Sequence, residues 1–276
     1  MMNKKIIYKR HCMWYDKRHP WNLFDDLANY IKYSLRDYAL WLEKYCPEDE
    51  MRYELDHFDN ATNHQNKDMQ DADKKRLLIS TLKKMYFSFD QVSMDFPDSP
   101  WNVWWDKNCA EHALQNFKRE NGHVTYEVTC EAPDNVKEAQ KKYDDTINEG
   151  IKLYADLVEF VSLNSFSCCG YRATKKARRH QLRKIDSIFD KFGMFQNDQA
   201  WYIHEGLVAF KNAKRYGVPC NLSEDDWEKY LDDMIFTFHE IAYCNEFFDE
   251  YDAEEYEKKY NRGKELFGKY FLDLWD

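Results

Sequence analysis

Apolar residues recur at steps of three and four along most of this chain, a spacing that places their side chains on one face of an α-helix. The first such stretch follows Trp21 and ends before Pro47, because proline disfavours helical geometry in the preceding residue. Its apolar positions are Phe24, Leu27, Ile31, Leu35, Tyr38, Leu42 and Tyr45. The same period predicts further helices at about 73–92, 134–163, 174–193, 199–216, 223–249 and 253–275. The chain is therefore predicted to be an all-α helical bundle.

Two stretches lack this helical period. Residues 48–72 are acidic, rich in Asn and Asp and poor in apolar residues, so we expect a long exposed connection with about one helical turn. Within 93–132, prolines interrupt the chain, a short helix is indicated at 104–117, and residues 123–130 alternate as in a strand. We therefore expect an irregular insertion with a small β element there. Residues 1–20 form an N-terminal arm in this interpretation.

The helix predicted at 223–249 has a shorter counterpart at 82–92. Four apolar residues are identical in the alignment: Leu82, Met85, Phe87 and Phe89 match Leu231, Met234, Phe236 and Phe238. A second match follows in the same order, since the segment around Gly150 aligns with the segment around Gly263. Two matches in the same order predict an internal duplication of an aromatic-lined helical unit.

The predicted duplication divides the chain into two helical modules. The first spans residues 21–163 and carries the insertion at 93–132, and the second spans residues 174–276. A match of KKY at 141–143 with KKY at 258–260, across a small gap, extends the similarity. The sequence leaves open whether the modules share one core. The matched large side chains are expected to be interior packing rather than reactive groups.

The amino-acid composition disfavours some fold classes and some kinds of binding partner. With 8 Gly and 6 Pro, the chain lacks the frequent turns of sandwiches and barrels, and aromatic residues make up 17% of it. The net charge of −10 argues against broad nonspecific binding to nucleic acid or anionic membranes. Neither a long apolar run nor a secretory signal is evident. We therefore expect a cytoplasmic protein with no membrane partner, whose 8 cysteines are reduced.

Three segments resemble a set of uncharacterised bacteriophage-encoded helical proteins. The segments are HPWNLFDDLANYIKYSLRDYALWL, SEDDWEKYLDDMIFTFHEI and YNRGKELFGKYFLDLWD. The matching residues are Trp227, Leu231, Met234, Gly263, Lys269, Tyr270, Phe271, Leu274, Trp275 and Asp276. The resemblance implies a phage origin and a location in the host-cell cytoplasm. It supplies no reaction, cofactor or catalytic residue.

Cys109, His112, His123 and Cys130 form the best metal-like group in the sequence. The CxxH spacing puts two ligands one helical turn apart, and the HVTYEVTC segment could return two more to a tetrahedral zinc ion. The spacing matches no standard zinc ribbon or finger. We favour buried thiols with unrelated histidines and keep zinc as the alternative cofactor.

Asp56, His57, Asp59 and His64 lie in the acidic connection at 48–72. A cluster of carboxylates and imidazoles could bind a divalent ion or perform acid–base chemistry. Loops rich in Asp and Asn have this composition without any such function, so we favour a plain loop.

His239 and Glu240 lie in the helix at 223–249, and two carboxylates seven or eight residues earlier fall near the same face. Those carboxylates are Asp232 and Asp233. The aligned residues of the earlier copy are Lys83, Lys84, Asp90 and Gln91. A charge that changes between copies is typical of exposed positions on a solvated helix face. We favour that interpretation over a catalytic group.

One basic stretch stands out in this acidic chain. It comprises Lys175, Lys176, Arg178, Arg179, Arg183 and Lys184. It could contact a phosphate backbone, pair with the acidic segment 246–257, or form an ordinary helix surface. Nucleic acid therefore stays open as a partner but is not favoured.

Trp101, Trp104 and Trp105 form the candidate contact surface, because tryptophan is over-represented among binding hot spots. Simple burial is the alternative for these rings. With no catalytic signature in the chain, the sequence favours a non-enzymatic phage-type accessory protein that binds a host factor or antagonises a host defence. A virion structural or assembly component is one alternative. A metal-dependent or nucleic-acid-acting enzyme is another, and a homo-oligomer is left open.

Overall fold

The computed structural model describes residues 23–44, 46–93, 96–108, 117–120, 123–126, 132–162, 198–212, 218–243 and 252–274. The helices are α1 Leu23–Lys44, α2 Glu48–Ala61, α3 Asp71–Val92, α4 Pro100–Asn108, α5 Asp134–Asp156, α6 Asp198–Asn212, α7 Glu224–Tyr243 and α8 Ala253–Tyr270. A 3₁₀ turn, Phe271–Asp273, follows α8. The prediction of an all-α protein is confirmed.

A short hairpin lies between α4 and α5. Its strands, β1 Phe117–Glu120 and β2 His123–Tyr126, are antiparallel, with Phe117 opposite Tyr126. The arm predicted at 1–20 and the helix predicted at 174–193 lie outside the described residues.

Within the described residues, six of the helices form two groups of three, and α2 packs against α3 beside the first group. In the first helix set (α1, α3, α5), α3 packs against both α1 and α5. In the second helix set (α6, α7, α8), α7 packs against both α6 and α8. The sets meet where α5 contacts α8 and α1 contacts α6, and buried residues of both belong to one hydrophobic core.

The middle helix of each set buries the residues that the helical period placed inside. The buried residues of α3 include Leu78, Leu82, Met85, Phe89 and Val92, and those of α7 include Trp227, Leu231, Met234, Phe238 and Ile241. Met85 and Met234 are both fully buried. Of the four matched pairs, the prediction of interior packing holds for Leu82/Leu231, Met85/Met234 and Phe89/Phe238, whereas it is wrong for Phe87, which is 38% exposed while its counterpart Phe236 is buried.

The acidic connection predicted at 48–72 is wrong, because most of it is the helix α2, Glu48–Ala61. Met51, Leu55 and Phe58 lie on one face of this helix and are buried. The three apolar residues have helical spacing, but the buried Glu54 lies between them and the buried Asp59 follows them. That mixture made the segment look solvent-exposed in the sequence.

The short helix predicted at 104–117 begins earlier, at Pro100. Proline is tolerated in the first helical turn, where its missing N–H has no helical partner to lose. Ser99 caps this start, since its Oγ accepts a hydrogen bond from the backbone N of Asn102 at 3.1 Å.

Close helix crossings occur at corresponding places in the two sets. A Cβ atom on Gly150 of α5 would lie 2.0 Å from Oγ of Ser88 on α3. A Cβ atom on Gly263 of α8 would lie 2.1 Å from Oγ1 of Thr237 on α7. Since such contacts are far below van der Waals distance, glycine is required at both crossings.

Aromatic contacts also correspond between the sets. Phe89 meets Tyr154 edge to face with centroids 5.0 Å apart, and Phe238 meets Phe267 in the same way at 4.6 Å. Where the sets touch each other, a Cβ on Gly268 of α8 would lie 3.2 Å from the Cβ of Ala155 on α5. These correspondences support the predicted duplication, which we carry forward as a proposal.

The contacts change one detail of the predicted alignment. The gapped KKY match pairs Tyr143 with Tyr260. In the structure, Tyr143 donates to Gln91 Oε1 at 2.7 Å, and Tyr256 donates to Glu240 Oε2 at 3.0 Å. Because Gln91 and Glu240 are aligned in the proposed duplication, these contacts favour Tyr256 over Tyr260 as the residue matched with Tyr143, which would need no gap.

Candidate functional site

The helix α4 is held on the surface of the bundle by its first turn. The backbone N of Trp101 donates to Oε1 of Gln140 on α5 at 2.8 Å. The side-chain amide of Asn102 donates to the carbonyl of Phe96 at 2.8 Å, and Phe96 has a φ of 55°. These polar contacts fix the position of α4 without burying it.

The tryptophan surface, comprising Trp101, Trp104 and Trp105, lies on one face of α4. The ring centroid of Trp101 is 5.5 Å from that of Trp104 and 6.2 Å from that of Trp105. Trp101 is 38% exposed, and no residue of α4 is buried. Trp104 and Trp105 are half-buried, so none of the three rings is fully buried.

The tryptophan surface contributes nothing to the central core. The core cluster and the partly buried apolar residues packed against it, as far as the chain is described, include no residue of α4. Large aromatic rings stabilise a fold most when they are fully buried in its core. The rings of α4 lie outside the core, so they contribute less to stability than core rings do. The role of these three rings must be sought outside the core.

Of the four residues of the predicted acidic cluster, Asp59 and His64 come together, whereas Asp56 and His57 do not join them. Asp56 is exposed, whereas Asp59 is buried. Oδ2 of Asp59 lies 3.6 Å from Nδ1 of His64 and 3.6 Å from Nζ of Lys74. His57 stacks instead on a tyrosine of its own helix. A lysine beside Asp59 competes with a bound cation, so this cluster ties the turn after α2 to α3.

The predicted solvated face around Glu240 is wrong, because Glu240 is fully buried. Its carboxylate accepts a hydrogen bond from Tyr256, and its Oε1 lies 3.1 Å from Nδ1 of His239. Burial and the hydrogen bond to Glu240 raise the pKa of Tyr256, which keeps its hydroxyl protonated and able to donate. Of the other two carboxylates, Asp232 is exposed and Asp233 is half-buried.

His239, which lies beside this buried carboxylate, belongs to a cluster of three rings with His204 and Tyr243. His204 of α6 lies 5.2 Å from His239 and 6.0 Å from Tyr243, measured between centroids. Nδ1 of His204 is 3.4 Å from Oε1 of Glu205. In the described ranges, no three His, Cys, Asp or Glu side chains are grouped so that they could hold a metal ion.

A second buried glutamate was not predicted from the sequence. Glu54 of α2 is 2% exposed and accepts a hydrogen bond from the hydroxyl of Tyr38 on α1. Burial raises the pKa of Glu54 to about 7. Its position between Met51 and Leu55 on a helical face was the available signal, hidden by the acidic composition of the segment.

The remaining predicted residues lie mostly outside the described part of the chain. This holds for Cys109, His112 and Cys130 of the metal-like group, while His123 opens β2 opposite Glu120. It holds also for all of the basic stretch: Lys175, Lys176, Arg178, Arg179, Arg183 and Lys184. Zinc and nucleic acid stay as predictions.

Comparisons with known proteins yield no match to any protein family, curated protein or solved structure. Among the described helices, none combines the length and the apolar character that a membrane crossing requires. The fold and surface define the class as an all-α bundle that displays a cluster of tryptophans.

Proposed function

We propose that this protein acts without catalysis, by binding another protein through its tryptophan surface. The observation that carries the proposal is that Trp101, which is 38% exposed, contacts the half-buried rings of Trp104 and Trp105 on a helix with no buried residue. Tryptophan gains more than other side chains when it is desolvated in an interface, and hot spots are enriched in it.

The geometry favours binding for a second reason, which is the rigidity of the rings. Trp101 contacts both Trp104 and Trp105, so their rotamers restrict one another before any partner arrives. Immobilising a side chain on binding costs about 0.5–1.5 kcal/mol, and this cost falls when the ring is already held. A prearranged aromatic surface therefore suits a partner with an apolar pocket.

We further propose a host-cell protein as the partner, in line with the resemblance to phage-encoded proteins. The net charge of −10 suits a partner whose interface is basic at the rim, since opposite charges speed encounter. This part of the proposal rests on the resemblance and on charge.

Affinity capture from host-cell extract tests the proposed function. The test variant combines Trp101→Ala, Trp104→Ala and Trp105→Ala, and the control is Tyr53→Ala, which removes a ring that is 56% exposed on α2. We expect wild type and control to capture the same protein, and the triple variant to bind it at least about tenfold more weakly. Titration with the purified partner measures the difference.

The triple variant should keep its fold, because α4 adds nothing to the core. Its melting temperature should change by no more than about 3 °C. Equal capture by the triple variant and wild type would contradict the proposal. Co-purification with virus particles would instead favour a structural component, and stoichiometric zinc lost on substituting Cys109 and Cys130 would favour the enzyme.

A further inference from the structure

In each helix set, two adjacent charged residues of the middle helix form ion pairs, one with each neighbouring helix. In the first set, α3 reaches α1 and α5 through these pairs, and in the second set α7 reaches α6 and α8. The pairs are Lys83–Glu43 and Lys84–Glu149 in the first set, and Asp232–Lys211 and Asp233–Arg262 in the second. A further pair in the first set, Lys32–Asp90 at 3.4 Å, also joins α1 to α3.

The charges of these pairs are reversed between the sets. The cations Lys83 and Lys84 of α3 align with the anions Asp232 and Asp233 of α7. The partners are reversed as well, so every pair stays attractive. Lys83 and Asp232 are exposed and Lys84 is partly exposed, yet each changed charge faces a changed partner.

The apolar faces of α3 and α7 are, by contrast, nearly alike. Both bury a leucine, a methionine and a phenylalanine at aligned positions: Leu82 and Leu231, Met85 and Met234, Phe89 and Phe238. Both receive a glycine of the next helix, Gly150 or Gly263, against a hydroxyl side chain. Packing by these matched residues therefore discriminates weakly between the correct neighbours and those of the other set, although the aligned and equally buried Leu78 and Trp227 differ in size.

We infer that the reversed ion pairs assign α3 and α7 to their own neighbours and so prevent exchange of helices within or between copies of this chain. If α3 occupied the place of α7, Lys83 would face Lys211 and Lys84 would face Arg262. If α7 occupied the place of α3, its two aspartates would face two glutamates. All four attractive contacts would become repulsive.

A charge-matched variant of the full chain separates this role from simple stabilisation. It combines Glu43→Lys, Lys83→Asp, Lys84→Asp and Glu149→Arg, which gives the first set the charges of the second. Every ion pair of the native arrangement stays attractive in this variant. A middle helix placed in the wrong set, however, now also meets residues of opposite charge. After refolding from urea, we expect about tenfold more dimeric or non-native chain than for wild type, since several pairs each contribute a small factor.

A charge-inverted variant is the matched control. It adds Lys211→Glu, Glu228→Gln, Asp232→Lys, Asp233→Lys and Arg262→Glu, and Glu228 is included because it lies 3.4 Å from Lys211. In this variant the middle helix α3 is acidic at the paired positions and the middle helix α7 is basic. The two sets therefore differ in charge as in wild type, but with opposite signs. This variant should refold to native monomer as wild type does, measured by size-exclusion chromatography with light scattering.

Refolding in about 1 M NaCl should raise the misassembled fraction of wild type, because salt screens exposed charges. The inference is overturned if the charge-matched variant refolds as cleanly as wild type. It is overturned equally if the charge-inverted variant misassembles as much as the charge-matched one, since the substitutions would then be harmful for another reason.

Discussion

At the scale of single residues, the two buried glutamates are the least expected feature of this protein. Glu54 and Glu240 are each held by a tyrosine hydroxyl from another helix. A buried carboxylate without such a partner would be strongly unfavourable, so each tyrosine makes burial of its glutamate tolerable. The consequences for stability differ between the two and can be tested separately.

Glu54 should make the stability of the fold fall as pH rises. Its pKa is raised from 4.5 to about 7, so between these values the unfolded chain loses its proton while the folded chain keeps it. The favourable contribution is complete below pH 4.5 and lost above about pH 7, with a slope of up to about 1.4 kcal/mol per pH unit.

The substitution Glu54→Gln removes this titration. The free energy of unfolding, measured with urea from acidic to mildly basic pH, should then depend less on pH than that of wild type. Glu54→Gln should also be the more stable protein above pH 7. If the free energies of unfolding of wild type and Glu54→Gln change with pH in parallel, the pKa of Glu54 is not raised in the folded protein.

Glu240→Gln should preserve the fold. Gln91 occupies the corresponding position on α3 and accepts a hydrogen bond from Tyr143. A glutamine at 240 can accept from Tyr256 in the same way while removing a buried charge, so the free energy of unfolding should change by less than about 1 kcal/mol.

Glu240→Leu is the contrasting variant, because it removes the acceptor of Tyr256. It should lower the free energy of unfolding by about 1–3 kcal/mol, measured in urea. A larger loss for Glu240→Gln than for Glu240→Leu would show that the charge of Glu240 is needed for more than this hydrogen bond.

At the scale of the helices, the spacing between elements is set by small residues at the crossings. Gly150 lets α5 approach α3, and Gly263 lets α8 approach α7. The nearest atoms to a new Cβ differ between them. At Gly150 they belong mainly to the Ser88 side chain, whereas at Gly263 the backbone carbonyl of Asp233 lies 2.4 Å away.

Gly263→Ala should therefore be more destabilising than Gly150→Ala. Alanine favours an isolated helix by about 1 kcal/mol, but a clash with backbone cannot be relieved by rotating a side chain. We expect losses of about 2–4 kcal/mol for Gly263→Ala and about 1–3 kcal/mol for Gly150→Ala in urea unfolding. The opposite order would mean that the two crossings do not correspond as described.

At the scale of the whole molecule, two similar helix sets share one core and differ at the surface. The first set carries α4 with its tryptophan surface, which packs on α5. The core contains residues of both sets and none of α4. Stability and the proposed binding activity are thus located in different parts of the chain.

Sequence alone predicted those features that depend on local spacing. The helical period identified the buried faces of α3 and α7, including Met85 and Met234, because an apolar residue every three or four positions must face inward in any helical fold. The capacity of the tryptophans to form a surface was also visible, but their exposure was not.

Only the tertiary structure decided which polar residues are inside. Glu54 and Glu240 are buried because a tyrosine distant in sequence supplies a hydrogen bond to each, and local spacing carries no information about such partners. The same holds for the reversed ion pairs, whose charges were readable while their partners were not. Local periodicity fixes what a helix can bury, and contacts between distant helices fix what it does bury.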